Sequence, residues 1–295
     1  MSEERESKKV VVFGAGGFIG SVLTQLLGNM GWDVRPMTRN ECDMASAESM
    51  AQAVASLDPG MSAVLCASIS RVQEDSIQSF LENIMMAENF AAAARPGQFR
   101  SIIFLSSTDV YGNKPICPLT ERTLTEPAGY YALSKFASER ILSNSENLDC
   151  PIASLRLPGI FGPTDDGKSI LGLFAKRIVT GQTIRLFGDG STLRDFVLVD
   201  DLCSVILALL NKPYNGVLNI AAGKSHKLID ILQLMAEKAG CELIIQREPP
   251  GERSNDLVFD VSAMHGAVGP LYMTPLETGI NRLIKHVKER IGATC

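Results

Sequence analysis

The feature that most constrains the fold is an alternation of short apolar runs with helical patterns, which begins near the N-terminus. The segment KKVVVFGAG, residues 8–16, has the composition of a buried strand, and SVLTQLLGNMG, residues 21–31, follows with helical spacing and a terminal glycine. Strand and helix patterns continue to alternate through SIIFLSS at 101–107 and into the helix that carries YYALSK at 130–135. Buried strands that alternate with helices indicate a parallel sheet covered on both faces. We therefore predict an α/β fold with a doubly wound parallel sheet.

The second half of the chain predicts a smaller lobe that is interleaved with the end of the first domain. PIASLRLPGIFG, residues 151–162, has the pattern of a single strand, and shorter strands and helices follow it. We assign residues 1–160 to the first domain, with 196–223 contributing to it. Residues 161–195 and 224–295 then form a C-terminal α/β lobe, and a cleft beside such a lobe is a common place for a substrate.

A glycine-rich turn follows the first strand. The sequence GAGGFIG places Gly14, Gly17 and Gly20 three residues apart. Glycine permits a tight turn and a close approach of the backbone to a pyrophosphate, and the last glycine lets the helix pack against the strand. The helix that starts at Phe18 and Ile19 directs unpaired N–H groups and the positive end of its dipole toward phosphates. We predict that these five residues bind a dinucleotide.

The end of the second strand bears on the choice of cofactor. NAD-binding proteins usually place an acidic residue there to hold the ribose 2′-hydroxyl. The chain instead reads PMTRNECD, with Thr38 and Arg39 directly after the strand. A guanidinium suits a 2′-phosphate through charge-assisted hydrogen bonds. The sequence therefore favours NADP(H), with NAD(H) as the alternative.

The helix that carries YYALSK contains a candidate acid/base pair. Residues four apart share a helix face, so Tyr131 faces Lys135, whereas Tyr130 faces Ser134. A tyrosine hydroxyl ordinarily titrates near about pH 10, and a nearby cation stabilises its charged form. We predict that Tyr131 transfers the proton, that Lys135 supports it, and that Tyr130 packs or lines the substrate.

Hydroxyl residues end the strand SIIFLSS. Ser106 and Ser107 are followed by Thr108, at the carboxyl edge of the sheet where a nicotinamide would lie. A serine there can hydrogen-bond an alcohol or ketone and position it against Tyr131. Capping of a turn or short helix is the alternative role for these hydroxyl groups.

Together these motifs resemble a known family. GAGGFIG, LSSTDVYG and YYALSK, in this order and spacing, are similar to the extended short-chain dehydrogenases/reductases, which include nucleotide-sugar epimerases, dehydratases and 4-ketoreductases. RLPGIFGP, FGDGSTLRDFVLVDDL and GVLNIAAGKS extend the similarity along the second half. The resemblance implies a Rossmann-type fold with a smaller substrate lobe, an NAD(P) cofactor and a nucleotide-linked sugar as substrate.

The resemblance also implies roles for individual residues. Ser107, Tyr131 and Lys135 match the catalytic residues. Tyr131 and Lys135 are also expected to bind the cofactor, with Lys135 at the nicotinamide ribose. Asp43 matches a position that contacts adenine, although a cap of the following helix is an equal alternative. Residues implied to bind the substrate, including two arginines suited to a diphosphate, are Thr108, Arg194 and Arg253.

Within the family, reduction of a 4-keto sugar is the expected activity, mainly because of Arg39. A nucleotide-sugar 4-epimerase is the alternative, and a non-catalytic NAD(P)-binding regulatory protein is a more distant one. Dehydratases carry an Asp-Glu pair after the catalytic Ser/Thr, and here Ser107 is followed by Thr108 and Asp109. Many relatives also have an asparagine where this chain has Gly159.

Other properties bear on partners and location. The formal net charge is −5 and there is no long Lys/Arg run, so we expect no nucleic-acid partner. No apolar stretch has the length of a membrane span, and the polar start lacks the apolar core of a signal peptide. Seven scattered cysteines fit reduced thiols in the cytoplasm, and three dispersed histidines predict no metal site. The resemblance implies a homodimer through helices at 76–94 and 130–145.

Overall fold

The computed structural model describes residues 8–165, 167, 169–250 and 255–292. The strands in these ranges are β1 (Lys9–Phe13), β2 (Asp33–Met37), β3 (Met61–Leu65), β4 (Phe99–Ser107), β5 (Ile152–Leu157), β6 (Gly159–Phe161), β7 (Ile184–Phe187), β8 (Leu193–Arg194), β9 (Phe196–Leu198), β10 (Gly216–Asn219), β11 (His226–Lys227) and β12 (Ile245–Glu248).

The helices in the same ranges are α1 (Phe18–Asn29), α2 (Ala47–Ala55), α3 (Ile77–Ala93), α4 (Tyr130–Asn144), α5 (Ile170–Val179), α6 (Val199–Asn211), α7 (Leu228–Ala239), α8 (Ser262–Val268) and α9 (Leu276–Ile291), and a 3₁₀ helix covers Thr108–Tyr111. Among these described helices, none combines the length and the apolar character needed to cross a membrane.

A six-stranded sheet has the order β10-β5-β4-β3-β1-β2. Parallel pairing joins β1 to β2, β1 to β3, and β3 to β4. The α/β class with a parallel central sheet is thereby confirmed. Phe13 of β1 pairs with both Met37 of β2 and Leu65 of β3, so the carboxyl ends of these strands are level. The winding direction reverses between β1 and β3, the place where ligands bind in doubly wound sheets.

Burial on both faces explains why the central strands are continuous apolar runs. Val10, Val11, Val12 and Phe13 of β1 are all fully buried, as expected for a parallel sheet with both faces covered. The ring of Phe13 packs edge-on against Phe90 of α3, with 5.6 Å between centroids. Complete burial of side chains of this size contributes about 1.5–3 kcal/mol each.

The chain forms two compact units. The first contains the described residues up to Ser106, Gly129–Leu155 and Ile206–Val217. The second contains Ser107–Ala128, Arg156–Val205 and the described residues from Leu218 onward. That the first unit binds the dinucleotide and the second binds the substrate stays a prediction.

The segment PIASLRLPGIFG is not one strand, contrary to the sequence-based prediction. Pro158 separates β5 from β6, because proline has no N–H to donate to a strand ladder. β6 pairs in parallel with β9 in a separate two-stranded sheet. The core of the second unit comes largely from α5, α7 and α9, which bury Leu171, Leu232 and Leu283 completely.

The cysteines differ in whether they form a disulfide bond. Cys42, Cys66, Cys117 and Cys150 are not in disulfides, whereas Cys241 is disulfide-bonded. The expectation that all seven thiols are reduced is therefore wrong for Cys241.

Candidate active site

The glycine loop lies against the ends of β2 and β3. The N–H groups of Gly14 and Ala15 donate to the carbonyl of Met37 at 2.8 and 3.1 Å. Gly14 has φ +82°, and a Cβ atom there would lie 2.6 Å from the backbone nitrogen of Ala67. A Cβ atom at Gly20 would lie 2.2 Å from the carbonyl oxygen of Gly14. Only glycine fits these two positions without displacing backbone.

The start of α1 suits an anionic ligand. Gly17 is the N-cap residue, and among the described residues no side chain caps this helix start. The first turn, which includes Phe18, Ile19 and Gly20, contains no acidic residue. Unpaired backbone N–H groups and the positive end of the helix dipole attract phosphate at such a site. The loop and helix start therefore fit the pyrophosphate of a dinucleotide, although binding by these five residues stays a prediction.

The segment after β2 holds the two residues assigned to cofactor recognition. Arg39 is exposed, and its Nε lies 4.0 Å from Oδ1 of Asp43. Asp43 Oδ1 accepts from the N–H of Ala45 at 3.2 Å. The N-cap of α2 is Ser46, whose hydroxyl accepts from the N–H of Ser49. The alternative that Asp43 caps this helix is therefore wrong, and its contact with adenine stays a prediction.

Tyr131 and Lys135 lie on one face of α4, as their spacing predicts. Lys135 Nζ is 5.8 Å from the centroid of the Tyr131 ring. The backbone N–H of Tyr131 donates to Asp75 at 2.8 Å, which fixes the first turn of the helix. Tyr130 is instead exposed and packs against Phe80, with 6.1 Å between ring centroids. The structure therefore places Tyr131 beside Lys135 and leaves Tyr130 exposed against Phe80, as the spacing predicts.

Lys135 is a buried cation held by the sheet. Its Nζ donates to the carbonyl of Leu105 in β4 at 2.8 Å, and the Phe104 ring lies 5.0 Å away. Burial lowers the pKa of Lys135 to about 8, and electrostatic interactions with Cys66 and Glu139 oppose this shift. The ammonium form thus predominates at neutral pH and can favour a negatively charged tyrosine beside it.

Glu139 is a buried acid that the sequence analysis missed. Its carboxylate accepts from the hydroxyl of Ser106 at 2.5 Å, and both residues are about 95% buried or more. Glu139 follows Lys135 by one helical turn. The four-residue spacing of positions 131, 135 and 139 would therefore have placed it on the same helix face as Tyr131 and Lys135. The bond between Ser106 and Glu139 joins the end of β4 to α4. Leu105, whose carbonyl accepts from Lys135, lies on the same strand.

Asn83 is a second residue that the sequence analysis missed. Its side chain accepts from the N–H of Ile69 at 2.8 Å and donates to the carbonyl of Ile69 at 3.0 Å and to Ser134 at 3.3 Å. It lines a pocket at the carboxyl end of β3 together with Ser68 and Lys135. The lining also includes Ala67, and a Cβ atom at Gly14 would lie against the Ala67 backbone, so the pocket borders the glycine loop.

Ser107 ends β4, and its hydroxyl accepts from the N–H of Asp109 at 3.1 Å. This bond caps the short 3₁₀ helix that begins with Thr108, so the capping role is present. A hydroxyl that accepts one bond can still donate another. The catalytic role of Ser107 and the substrate contact of Thr108 stay predictions.

Of the two arginines expected to bind the diphosphate, the structure describes Arg194 alone. Arg194 donates through Nη1 to the carbonyls of Leu193, at 2.9 Å, and Asn255. Arg253 lies outside the described residues. A Cβ atom at Gly159 would lie 2.4 Å from two ring carbons of Phe196, so glycine is required there by packing.

Asp195 is a buried acid in the second unit that the sequence did not single out. Its two oxygens accept from the N–H groups of Ala222 and Gly223 at 2.9 and 3.0 Å. Burial raises the pKa of Asp195 from 3.8 to about 6, although these N–H groups oppose the shift. Because its pKa is raised on folding, its contribution to stability is present at low pH and is lost as the pH rises through about 6.

The reversal of winding at β1/β3, with a glycine loop at that edge, places the chain among the Rossmann-type α/β proteins. Residues 10–221 match the NAD dependent epimerase/dehydratase family. Because this match covers more than half of the chain, the chain belongs to that family.

Comparison with individual proteins agrees with this membership. The chain is 31% identical over 221 residues to the UDP-glucose 4-epimerase of Mycolicibacterium smegmatis. The aligned region covers 66% of this chain and 70% of that protein. Its fold is similar to that of the Thermotoga maritima UDP-glucose 4-epimerase in a structure with UDP-glucose, with a TM-score of 0.85 and 20% identity. The superposition covers 96% of this chain and 99% of that chain.

Two further structures contain cofactors. The UDP-glucose 4-epimerase of Thermus thermophilus in complex with NAD has a TM-score of 0.82 and 26% identity, with 95% of this chain and 99% of that chain covered. RMD from Pseudomonas aeruginosa complexed with NADPH has a TM-score of 0.83 and 21% identity, with 96% and 99% covered. These neighbours support a nicotinamide cofactor without distinguishing NAD from NADP.

Proposed function

We propose that the chain is an NAD(P)-dependent nucleotide-sugar 4-epimerase that acts on a UDP-hexose. The observation that carries the proposal is the buried Lys135, which lies beside Tyr131 on α4 and is held by the carbonyl of Leu105. The similarity to UDP-glucose 4-epimerases supports epimerisation better than the net reduction favoured by the sequence.

The residues of this chain supply the acid/base chemistry. Tyr131 takes the proton from the sugar hydroxyl as a phenolate and later returns it, and the Lys135 ammonium stabilises the phenolate before the first step and after the second. Ser107 is assigned the hydrogen bond to the reacting oxygen. The glycine loop would hold the dinucleotide, which when bound supplies hydride chemistry at the same carbon.

Product analysis tests the proposal. We expect purified protein with NAD⁺ to interconvert UDP-glucose and UDP-galactose, resolved by chromatography, without net change in absorbance at 340 nm, because an epimerase returns the hydride. Stoichiometric oxidation of NADPH by a 4-keto nucleotide sugar, with no epimerisation of any UDP-hexose, would instead establish a reductase. Dinucleotide binding without turnover of either substrate would indicate the regulatory alternative.

The exposed apolar surface of α3 and α4 supports a homodimer. Ile77, Leu81 and Met85 recur every four residues on α3 and are about half exposed, at 53%, 47% and 47%. Tyr130 and Leu133 on α4 are also exposed. We infer that a second copy covers this helix pair, because contiguous apolar surface on a protein commonly marks an interaction site.

Light scattering coupled to size-exclusion chromatography tests the dimer. We expect the unmodified chain to have twice the monomer mass and Leu81→Glu to be a monomer, because the charge would have to be buried without a partner. The control is Leu124→Glu in the second unit, where the leucine is 72% exposed, and it should leave the mass unchanged. A monomeric unmodified chain, or a dimeric Leu81→Glu variant, would refute this interface.

A further inference from the structure

Glu139 is buried in α4 one helical turn beyond Lys135. The two residues are each 5% exposed, and with Tyr131 they are spaced four residues apart along the helix. Residues with this spacing lie on one helix face. A charged group that is removed from water is stable only where hydrogen bonds or an opposite charge compensate it. Each of these two buried groups therefore needs partners within the first unit, to which both belong.

Consecutive residues of β4 supply hydrogen-bond partners to both groups. Lys135 Nζ donates to the carbonyl of Leu105 at 2.8 Å, and the hydroxyl of Ser106 donates to Oε1 of Glu139 at 2.5 Å. The Leu105 carbonyl belongs to the planar peptide group that ends at the Cα atom of Ser106. Rotation of that peptide group would move the acceptor of Lys135, and the bond from Ser106 to Glu139 restrains it. The Glu139 carboxylate therefore helps to fix the carbonyl that holds the ammonium.

Few titratable groups face Lys135 in the part of the chain that the structure describes. Tyr131 and Glu139 flank it on α4, and Cys66 follows β3. Burial raises the pKa of the Cys66 thiol to about 12, so this group is neutral at neutral pH. Apart from the phenol of Tyr131 itself, Glu139 is the group among these described residues that can supply a negative charge. The pocket beside Lys135 is lined from α3, β3 and β4 by uncharged side chains, namely Asn83, Met86, Ala87, Leu65 and Phe104.

The charge of Glu139 opposes the cost of burying the ammonium. Burial lowers the pKa of Lys135 to about 8, and interactions with Cys66 and Glu139 act in the opposite direction. A thiol that stays protonated can supply little of this opposition, so we attribute it chiefly to Glu139. Without the carboxylate, a larger fraction of Lys135 would be the neutral amine near neutral pH.

We propose that Glu139 is a positioning residue that anchors β4 to α4 through Ser106 and keeps Lys135 as the ammonium beside Tyr131. The inference rests on the proposed function, in which this ammonium stabilises the tyrosine phenolate. Glu139 acts through Lys135 and is assigned no contact with the sugar or the dinucleotide. By the same argument, Ser106 has a role in the site that is separate from the one assigned to Ser107.

The pH dependence of Lys135 and of turnover tests the proposal. Glu139→Gln removes the charge, while its amide oxygen can still accept from Ser106. In NMR spectra of the full chain labelled with ¹³C at the lysine ε-carbons, the Lys135 signal is the one that a Lys135→Met variant lacks. Its titration midpoint should fall by about one pH unit in Glu139→Gln, because an opposite charge nearby favours the ammonium. With midpoints of about 8 and about 7, turnover should fall about twofold at pH 7 and about fivefold at pH 8.

Glu146→Gln is the matched control, because it removes the same charge from an exposed residue just beyond α4. Its Lys135 midpoint and its turnover should equal those of the unmodified chain. Ser106→Ala keeps the carboxylate but removes the hydrogen bond. It should lower turnover by a similar factor at pH 7 and pH 8, and it should leave the Lys135 midpoint close to that of the unmodified chain.

An unchanged Lys135 midpoint in Glu139→Gln would overturn the proposal whether or not the chain is an epimerase, because the NMR signal requires no turnover. A lowered midpoint with undiminished turnover at pH 8 would also overturn it, since the reaction would not depend on the ammonium. If Glu139→Gln does not fold, full turnover by Ser106→Ala would refute the anchoring role. A lowered midpoint in a chain that interconverts no UDP-hexose would support the effect of Glu139 on Lys135 and overturn the proposed function instead.

Discussion

Tyr131→Phe is expected to lower turnover by about 10²–10⁴-fold, the range typical of removing a positioned acid/base. The change deletes only the hydroxyl, and the ring can keep its position beside the Lys135 ammonium. Binding of the dinucleotide should therefore stay close to that of the unmodified protein. The measurements are the rate of sugar interconversion and a calorimetric titration on the same sample.

Tyr130→Phe is the matched control for this prediction. Tyr130 precedes Tyr131 in the same helix, but it is 42% exposed and packs against Phe80. Its variant should retain nearly full activity because its hydroxyl has no assigned proton to transfer. Undiminished turnover in Tyr131→Phe would refute its catalytic role, and equal losses in both variants would indicate a structural effect on α4.

Gly20→Ala is expected to weaken dinucleotide binding by about 10–100-fold. The added methyl group would lie 2.2 Å from the Gly14 carbonyl oxygen and 3.0 Å from the Ala15 Cα atom, which are both backbone. Overpacking of this kind costs about 1–3 kcal/mol, and each 1.4 kcal/mol is tenfold in an equilibrium constant. Thermal unfolding and titration with the preferred dinucleotide would measure the two effects separately.

Gly28→Ala supplies the control within the same helix. Gly28 lies near the C-terminal end of α1, is exposed, and a Cβ atom there would meet no other atom within 4 Å. Alanine is the better helix former by about 0.8–1 kcal/mol, so this variant should be slightly more stable and bind normally. Normal binding by Gly20→Ala would mean that the glycine loop does not hold the dinucleotide.

The fold class could be predicted because its signals are local. β1 is buried on both faces, so its sequence is a continuous apolar run, and α4 places Tyr131 and Lys135 together through its own periodicity. The break between β5 and β6 was also local, in Pro158, but the surrounding apolar residues obscured it. Patterns within one element therefore carried most of the correct predictions.

Contacts between elements could not be predicted in the same way. Glu41 reaches the end of β2 only because a turn reverses the chain, and Ser106 meets Glu139 because β4 packs against α4. Gly159 is required by the ring of Phe196, which is distant in sequence. No period or short motif encodes these contacts between elements, so the sequence analysis did not predict them.

Two bonds at the carboxyl end of the sheet terminate on main-chain oxygens. The carbonyl of Met37 receives the glycine loop, and the carbonyl of Leu105 receives Lys135. Every amino acid supplies a carbonyl, so replacement of either side chain preserves the acceptor. The side chains at these two positions can therefore change without loss of the acceptor, and the fold as a whole is similar to that of a structure with a TM-score of 0.85 at only 20% identity.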